Sequence, residues 1–149
     1  MPKWLKIMLI VVGTISIVLM IGGFLAARAV KKGIDNFEVE AEQATAAGKE
    51  FGSTGTLADC VEAGVQRTSD CSLTNLTCAP LAGAYLWGCL EAAPFDPSFC
   101  NAVPHAEDDD AVIDWAGRAC TVHGQHENDY CTIALAVVPG FCTARLDTD

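Results

Sequence analysis

The residues most able to do chemistry are eight cysteines, and five of the seven steps between them are eleven residues long. The set comprises Cys60, Cys71, Cys78, Cys89, Cys100, Cys120, Cys131 and Cys142. A thiol oxidoreductase normally uses a C-x-x-C pair, in which one thiolate attacks and its neighbour resolves the mixed disulfide. The sequence contains no such pair. We therefore expect a structural framework with all eight cysteines paired, on which the domain depends to fold.

The eleven-residue step suits helices that are joined to a neighbour at both ends. Eleven residues make about three turns of α-helix plus about 20°, so two cysteines at this spacing share one face. The first four cysteines are nested symmetrically about a turn at Asn75, and Cys120 and Cys131 flank the polar loop HGQHEND evenly. These two arrangements favour one connectivity. Its pairs are Cys60–Cys89, Cys71–Cys78, Cys120–Cys131 and Cys100–Cys142. The main alternative joins Cys89 to Cys100 through the loop APFDPSF.

One short segment offers a second kind of chemistry, metal binding. Cys120, His123 and His126 form the pattern C-x2-H-x2-H, with Glu127 and Asp129 nearby. Zinc accepts a thiolate and imidazoles in a tetrahedral site. Because Cys120 is also needed for a disulfide, we interpret the segment as a polar loop between helices. A metal-binding exported protein that uses this loop is the alternative function.

Catalytic and cofactor motifs are absent from the sequence. There is no G-x-S-x-G nucleophile elbow and no glycine loop that would bind phosphate. Trp87 and Trp115 fall on or beside apolar stripes, so we expect them to pack in the core rather than to stack on a ligand. We predict a protein that is not an enzyme, with no catalytic residues and no cofactor.

An uncharged apolar run near the N-terminus predicts a membrane anchor. Residues 7–27 carry no charge over twenty-one positions, which at about 1.5 Å per residue spans a bilayer core of about 30 Å. Trp4 stands in front of the run, where an interfacial aromatic would anchor it. A cleaved signal peptide is the alternative, since residues 27–29 loosely match a cleavage site, and a buried core helix is a third. We predict a short cytoplasmic segment at residues 1–6 and a retained anchor.

Charge and cysteine distribution place the rest of the chain outside the cytosol. All 19 acidic residues and all eight cysteines follow the apolar run, and residues 33–149 carry a formal charge of −15. Only four basic residues lie in this range: Lys49, Arg67, Arg118 and Arg145. So acidic a domain repels phosphate backbones, which excludes nucleic-acid binding. Disulfides persist in oxidising compartments, so we expect a single-pass protein with this domain in the periplasm or at the cell surface.

The segment after the anchor predicts a stalk helix that ends in a hinge. Apolar or small residues recur at helical spacing from Ile34 to Phe51, but the stripe is thin. The helix should therefore lie beside the domain or beside another copy of the chain. Three glycines between residues 48 and 55 interrupt the pattern. Residues 28–55 are assigned to the stalk and its glycine-rich hinge.

Residues 56–149 are predicted to form the exported cysteine-rich domain. Helices are expected over four stretches: 57–71, 78–90, the segment after the acidic run at 107–110, and the segment after Asn128. Pro139 and Gly140 should end or kink the last one. No segment alternates as a strand would. The expected fold is all-α, a single transmembrane helix followed by a small disulfide-stapled bundle of about four helices.

These expectations combine into one functional hypothesis. The chain should be a non-catalytic, membrane-anchored module that presents a surface to another envelope protein. Its partners are the membrane, through residues 7–27, and a protein of unknown identity. Self-association through the span or the stalk is the alternative to a separate partner. The acidic charge of the domain is typical of a soluble surface, and the alternative interpretation is that it binds a cationic surface of a partner.

Overall fold

Seven α-helices make up the part of the chain that the computed structural model describes, residues 36–126 and 128–148. They are α1 (residues 36–52), α2 (Leu57–Gln66), α3 (Cys78–Ala92), α4 (Pro97–Cys100), α5 (Asp109–Val122), α6 (Asp129–Leu135) and α7 (Val137–Leu146). These residues include no strand, which confirms the all-α prediction. The chain divides into two units, residues 1–38 and 39–149, and every contact below lies within the second.

The predicted membrane anchor at residues 7–27 lies outside the described residues, as does the segment at residues 1–6. Among the helices that the structure does describe, none combines the length and the apolar character needed to cross a bilayer. The anchor and its orientation therefore stay predictions from the sequence.

Helices α1 and α3 approach so closely that their backbones are in contact. Gly48 and Gly52 of α1 lie against the backbone of α3, and Gly88 of α3 lies against the backbone of Thr45. A Cβ atom at any of these glycines would fall well inside van der Waals distance of a carbonyl oxygen on the other helix. The Thr45 hydroxyl also donates a hydrogen bond of 3.3 Å to the carbonyl of Ala84. Only residues without a side chain permit this crossing.

The structure differs here from the predicted hinge. Gly48 and Gly52 are buried inside α1, which continues to residue 52. Glycine lowers helix propensity by about 1 kcal/mol relative to alanine, so the sequence pattern indicated a break. The close packing against α3 overrides that local preference. Residues 39–52 of the predicted stalk therefore lie beside the domain of their own chain, within the compact unit that spans residues 39–149.

Three disulfides join pairs of helices and the fourth closes the loop between α2 and α3; their connectivity is the one that the cysteine spacing favours. The pairs are Cys60–Cys89, Cys71–Cys78, Cys100–Cys142 and Cys120–Cys131, with Cα separations of 5.6, 5.5, 5.1 and 6.1 Å. The alternative bond between Cys89 and Cys100 is not formed, and no cysteine is free. Six cysteines, all except Cys71 and Cys78, are at most 2% exposed and belong to the core.

The rest of the core is built from few large side chains around α3. This helix contacts α2, α6 and α7, in addition to α1. The largest fully buried side chains are four leucines, Leu57, Leu86, Leu90 and Leu135. Alanine and glycine fill much of the remaining space, so apolar burial is limited. Disulfides offset this, since each typically contributes about 2–4 kcal/mol, mainly by restricting the unfolded chain in the usual account.

The last predicted helix is divided into α6 and α7 at Ala136. The break lies about one turn before the expected position at Pro139 and Gly140. A proline ring collides with the carbonyl four residues earlier, here that of Leu135, and offers no N–H to it. Leu135 is the final residue of α6. Pro139 is then accommodated in the first turn of α7, where a missing donor is tolerated.

A repeated cysteine pattern in the sequence does not correspond to a repeated fold. The pattern C-x10-C-x7-P-x-F-C occurs twice, starting at Cys78 and at Cys120. The first two cysteines of one copy both lie in α3, whereas those of the other copy lie in α5 and α6. The two occurrences of the pattern therefore lie in different arrangements of helices.

Polar residues at the helix starts fix several of the boundaries. Asp108, in the acidic run, accepts a hydrogen bond from the first turn of α5, as the sequence predicts. Thr56 and Asp59 form a capping box at the start of α2. The backbone N–H of Thr56, which donates to the carboxylate, lowers the pKa of Asp59. Thr77 precedes α3, but its hydroxyl donates to the Asn75 side chain at 3.1 Å rather than capping the helix.

Alanine substitution at Gly88 tests the backbone contact between α1 and α3. The added Cβ would collide with the Thr45 carbonyl, so Gly88→Ala should lower the free energy of unfolding by about 1–3 kcal/mol or more. Gly117→Ala is the matched control, because a Cβ there meets nothing within 4 Å and should raise stability by about 0.5–1 kcal/mol. Guanidinium denaturation of the oxidised protein measures both. Equal stability of the two variants would contradict the crossing.

Limited reduction should open the Cys71–Cys78 disulfide before the other three. Both of its cysteines are partly exposed, whereas the remaining six are buried. Low dithiothreitol followed by alkylation and mass spectrometry identifies the first thiols released. We expect label on Cys71 and Cys78 with the far-ultraviolet circular dichroism retained. Label appearing first on Cys60 or Cys89 would contradict the burial of the core disulfides.

Candidate interaction groove

A surface groove of about 430 Å³ is formed by side chains of α1, α3 and α7. It is called the aromatic groove below, and its lining residues are Lys49, Trp87, Glu91, Ala92, Phe141, Ala144 and Arg145. Trp87 and Glu91 are four residues apart on α3, as Phe141 and Arg145 are on α7. Residues at this spacing share a helix face. Each helix thus supplies one aromatic and one charged side chain to the groove.

Trp87 and Phe141 form an edge-to-face pair on the groove surface. Their ring centroids are 6.2 Å apart and their planes meet at 88°. Phe141 is 3% exposed, whereas Trp87 retains 38% of its surface in solvent. Edge-to-face contact stabilises such pairs by about 0.5–1.5 kcal/mol beyond area burial. The indole is therefore held in place while part of it stays available to a partner.

The prediction that both tryptophans pack in the core holds only in part. Trp115 of α5 is partly buried and packs against the core cluster. Trp87 lies at the edge of the buried face of α3, between the buried residues Leu86 and Gly88. Phe141 of α7 packs against the indole at a steep angle. The sequence could place Trp87 beside the apolar stripe but could not show that α7 leaves part of it open.

Basic side chains flank the two aromatic rings. Lys49 Nζ lies 3.1 Å from Glu91 Oε2, and both side chains are well exposed. Such a pair contributes about 0–1 kcal/mol. The Arg145 guanidinium carbon lies 5.4 Å from the Phe95 ring centroid and 5.9 Å from that of Phe141, within the range of a cation–π interaction. Two of the four basic residues beyond residue 32 thus line one groove of an acidic domain.

The described residues of the loop between α5 and α6 do not gather the ligands that the metal hypothesis requires. Cys120 is bonded to Cys131, so its thiolate is unavailable in the oxidised protein. His123 and His126 are exposed. Within residues 36–126 and 128–148, no group of three or more His, Cys, Asp or Glu side chains is placed to hold a metal ion. Glu127 lies outside the described residues.

Asn128 precedes α6, as the sequence predicts, and also fixes the loop in a way that the sequence did not reveal. Its side-chain oxygen accepts hydrogen bonds from the N–H groups of Tyr130 and Cys131, at 3.0 and 3.3 Å. Its amide nitrogen donates to the Thr68 carbonyl at 3.2 Å and to Gln125 Oε1 at 2.8 Å. The residue therefore caps α6 and ties the loop to the end of α2. Asparagine before a helix is a common cap, but the second partner depends on the tertiary fold.

Exposed apolar side chains also occur at the tip of the Cys71–Cys78 loop. Leu73 and Leu76 are 85% and 76% exposed. The loop between the two cysteines contains no charged and no aromatic residue. It offers apolar area but no charged or aromatic group to orient a partner. The aromatic groove combines both properties and is the better candidate site.

Comparison of the chain with protein-family models, with curated proteins and with solved structures finds no match. The groove residues and their contacts are therefore the basis for the function proposed below.

Metal titration provides a direct check on the loop between α5 and α6. We expect the oxidised full-length protein to bind neither Zn²⁺ nor Cu²⁺ in the micromolar range, because Cys120 is occupied by its disulfide. Isothermal titration calorimetry measures this, with His123→Ala/His126→Ala as the control variant. Micromolar binding that the double variant abolishes would instead support the metal-binding alternative.

Proposed function

We propose that the chain is a non-catalytic, membrane-anchored module whose disulfide-stapled helical domain binds another protein of the cell envelope through the aromatic groove. The observation that carries this proposal is the partly exposed Trp87, fixed by Phe141 and flanked by Arg145. The anchor at residues 7–27 would hold the domain at the membrane surface.

The residue types of the groove suit protein recognition. Tryptophan and arginine are enriched among interface residues whose truncation costs most of the binding energy. An aromatic body with a polar edge supplies contact area with few rotatable bonds. Trp87 and Arg145 provide both kinds of contact within one groove.

The scaffold around the groove supports the same proposal. Trp87 lies two residues before Cys89, which is bonded to α2. Phe141 is adjacent to Cys142, which is bonded to Cys100. Both aromatic side chains therefore project from helices that are covalently fixed close to them. A surface ordered before binding loses less conformational entropy when a partner docks.

The disulfides also support a place outside the cytosol. Four disulfides with no free cysteine suit an oxidising compartment such as the periplasm or the cell surface. A retained anchor would keep the module in the membrane rather than release it. Its partner would then be a neighbouring envelope protein within reach of the domain.

Photo-crosslinking in native membranes tests the proposed function. A photo-reactive amino acid is placed at Ala144, an exposed groove residue, in the full-length chain. We expect one discrete crosslinked product, reduced at least about tenfold by Trp87→Ala, since truncating a central interface residue commonly costs about 2 kcal/mol or more.

The matched control carries the same photo-reactive residue at Ser69, which is exposed but is not one of the groove residues. A product that forms equally from Ser69, or that survives Trp87→Ala in a protein shown to be folded by its thermal melt, would contradict binding through the groove. The absence of any product from Ala144 would contradict it as well.

A further inference from the structure

We infer that the aromatic groove recognises a partner segment in which an apolar side chain adjoins a single carboxylate. The apolar side chain would pack on Trp87, and the carboxylate would bind Arg145. This inference rests on the proposed function and adds the chemistry of the partner to it.

Arg145 has hydrogen-bonding capacity that the described residues do not use. A guanidinium carries five N–H donors, yet this one forms no salt bridge and no side-chain hydrogen bond with any residue of the described ranges. By contrast, Arg118 is paired with Asp114, and Lys49 with Glu91. The rings beside Arg145 hold the guanidinium without consuming its N–H groups. Such a fork matches the two oxygens of a carboxylate.

The local charge of the groove favours an anion, although the domain as a whole is acidic. Its charged lining residues are Lys49, Glu91 and Arg145, so the groove carries one net positive charge. Lys49 and Glu91 largely neutralise each other. Among the described residues, Arg145 is then the groove cation that no carboxylate neutralises. A carboxylate beside it would gain a charge-assisted hydrogen bond, whereas a cation would be repelled by the guanidinium.

The surrounding acidity limits the partner to one acidic group. Residues 33–149 carry a formal charge of −15, and charges within a Debye length of about 8–10 Å interact appreciably at physiological salt. An acidic run would therefore be repelled by the rest of the surface. A single carboxylate in an otherwise neutral or basic segment meets the local arginine and avoids this repulsion.

The shape of the groove favours a protein segment over a free amphiphile. Its volume of about 430 Å³ suits one or two side chains, and Ala144 and Arg145 on its rim are exposed. Sites for small ligands usually bury most of the ligand surface. This groove is open at the protein surface, so an occupant would be covered on one side only. A segment attached to a larger partner gains further contact beyond the rim.

Selection from a phage-displayed library of random heptapeptides tests this inference without assuming a partner. The full-length, disulfide-intact protein is immobilised through its N-terminus, which leaves the groove residues near the C-terminus free. Selected peptides are then synthesised, and their affinities are measured for the parent protein and three variants. The variants are Trp87→Ala, Arg145→Gln and the control Arg118→Gln, which removes the same charge from an exposed ion pair outside the groove.

The expected consensus is an apolar residue next to one Asp or Glu. Affinity should fall at least about tenfold with Arg145→Gln, as expected for loss of a charge-assisted contact. Arg118→Gln should leave it within about twofold, because that ion pair is exposed. Replacing the acidic residue of the peptide by its amide should lower the affinity for the parent protein as much as Arg145→Gln does. The same replacement should change the affinity for the Arg145→Gln variant little.

Two results would overturn the inference. Peptides that bind through Trp87 but show no acidic residue and no dependence on Arg145 would refute the partner chemistry and leave the proposed function standing. A library that yields no peptide dependent on Trp87, with binding instead to a fatty acid such as laurate that Arg145→Gln weakens, would show that the groove takes an amphiphile rather than a protein segment. The proposed function is tested separately, because the absence of a crosslink from Ala144 in the native membrane would contradict it whatever peptides the library yields.

Discussion

The fold depends on contacts that reach the backbone of α3. Cys89 lies at their centre, since its disulfide to Cys60 fixes α2 while its backbone touches Gly52 of α1. The next residue toward the N-terminus, Gly88, admits the carbonyl of Thr45. One turn of α3 thus sets its distance to two helices. The disulfide fixes the distance to α2, and the absence of side chains at the glycines allows the close approach of α1. The α1 wall of the aromatic groove takes its position from the same contacts.

Covalent links replace much of the apolar burial that a domain of this size would otherwise use. Three disulfides lie inside the core, among only a few large aliphatic side chains. Disulfides lower the conformational entropy of the unfolded chain, and this stabilisation does not require a large apolar core. This construction leaves aromatic side chains available for the surface, where Trp87 is held by packing yet open to solvent. Stability and an ordered groove surface therefore arise from the same links.

The sequence predicted what is locally encoded and missed what depends on a partner helix. Helical periodicity gave the all-α fold, Asn128 gave the start of α6, and nested cysteine spacing favoured the observed connectivity. Gly48 was interpreted as part of a hinge, because its role appears only when the backbone of α3 is beside it. Trp87 was assigned to the core, and the aromatic groove was not foreseen. Its walls come from α1, α3 and α7, whose proximity no local pattern specifies.

Disulfide mapping of the native protein tests most directly whether the helices are fixed by these links. The chain is isolated from its native host with thiols blocked and digested without reduction, using chymotrypsin and a Glu/Asp-specific protease, which can cut between consecutive cysteines. The account predicts four linked peptide pairs: Cys60–Cys89, Cys71–Cys78, Cys100–Cys142 and Cys120–Cys131. A Cys89–Cys100 link, or blocked thiols at Cys60 and Cys89, would contradict it, because no disulfide would then join α2 directly to α3.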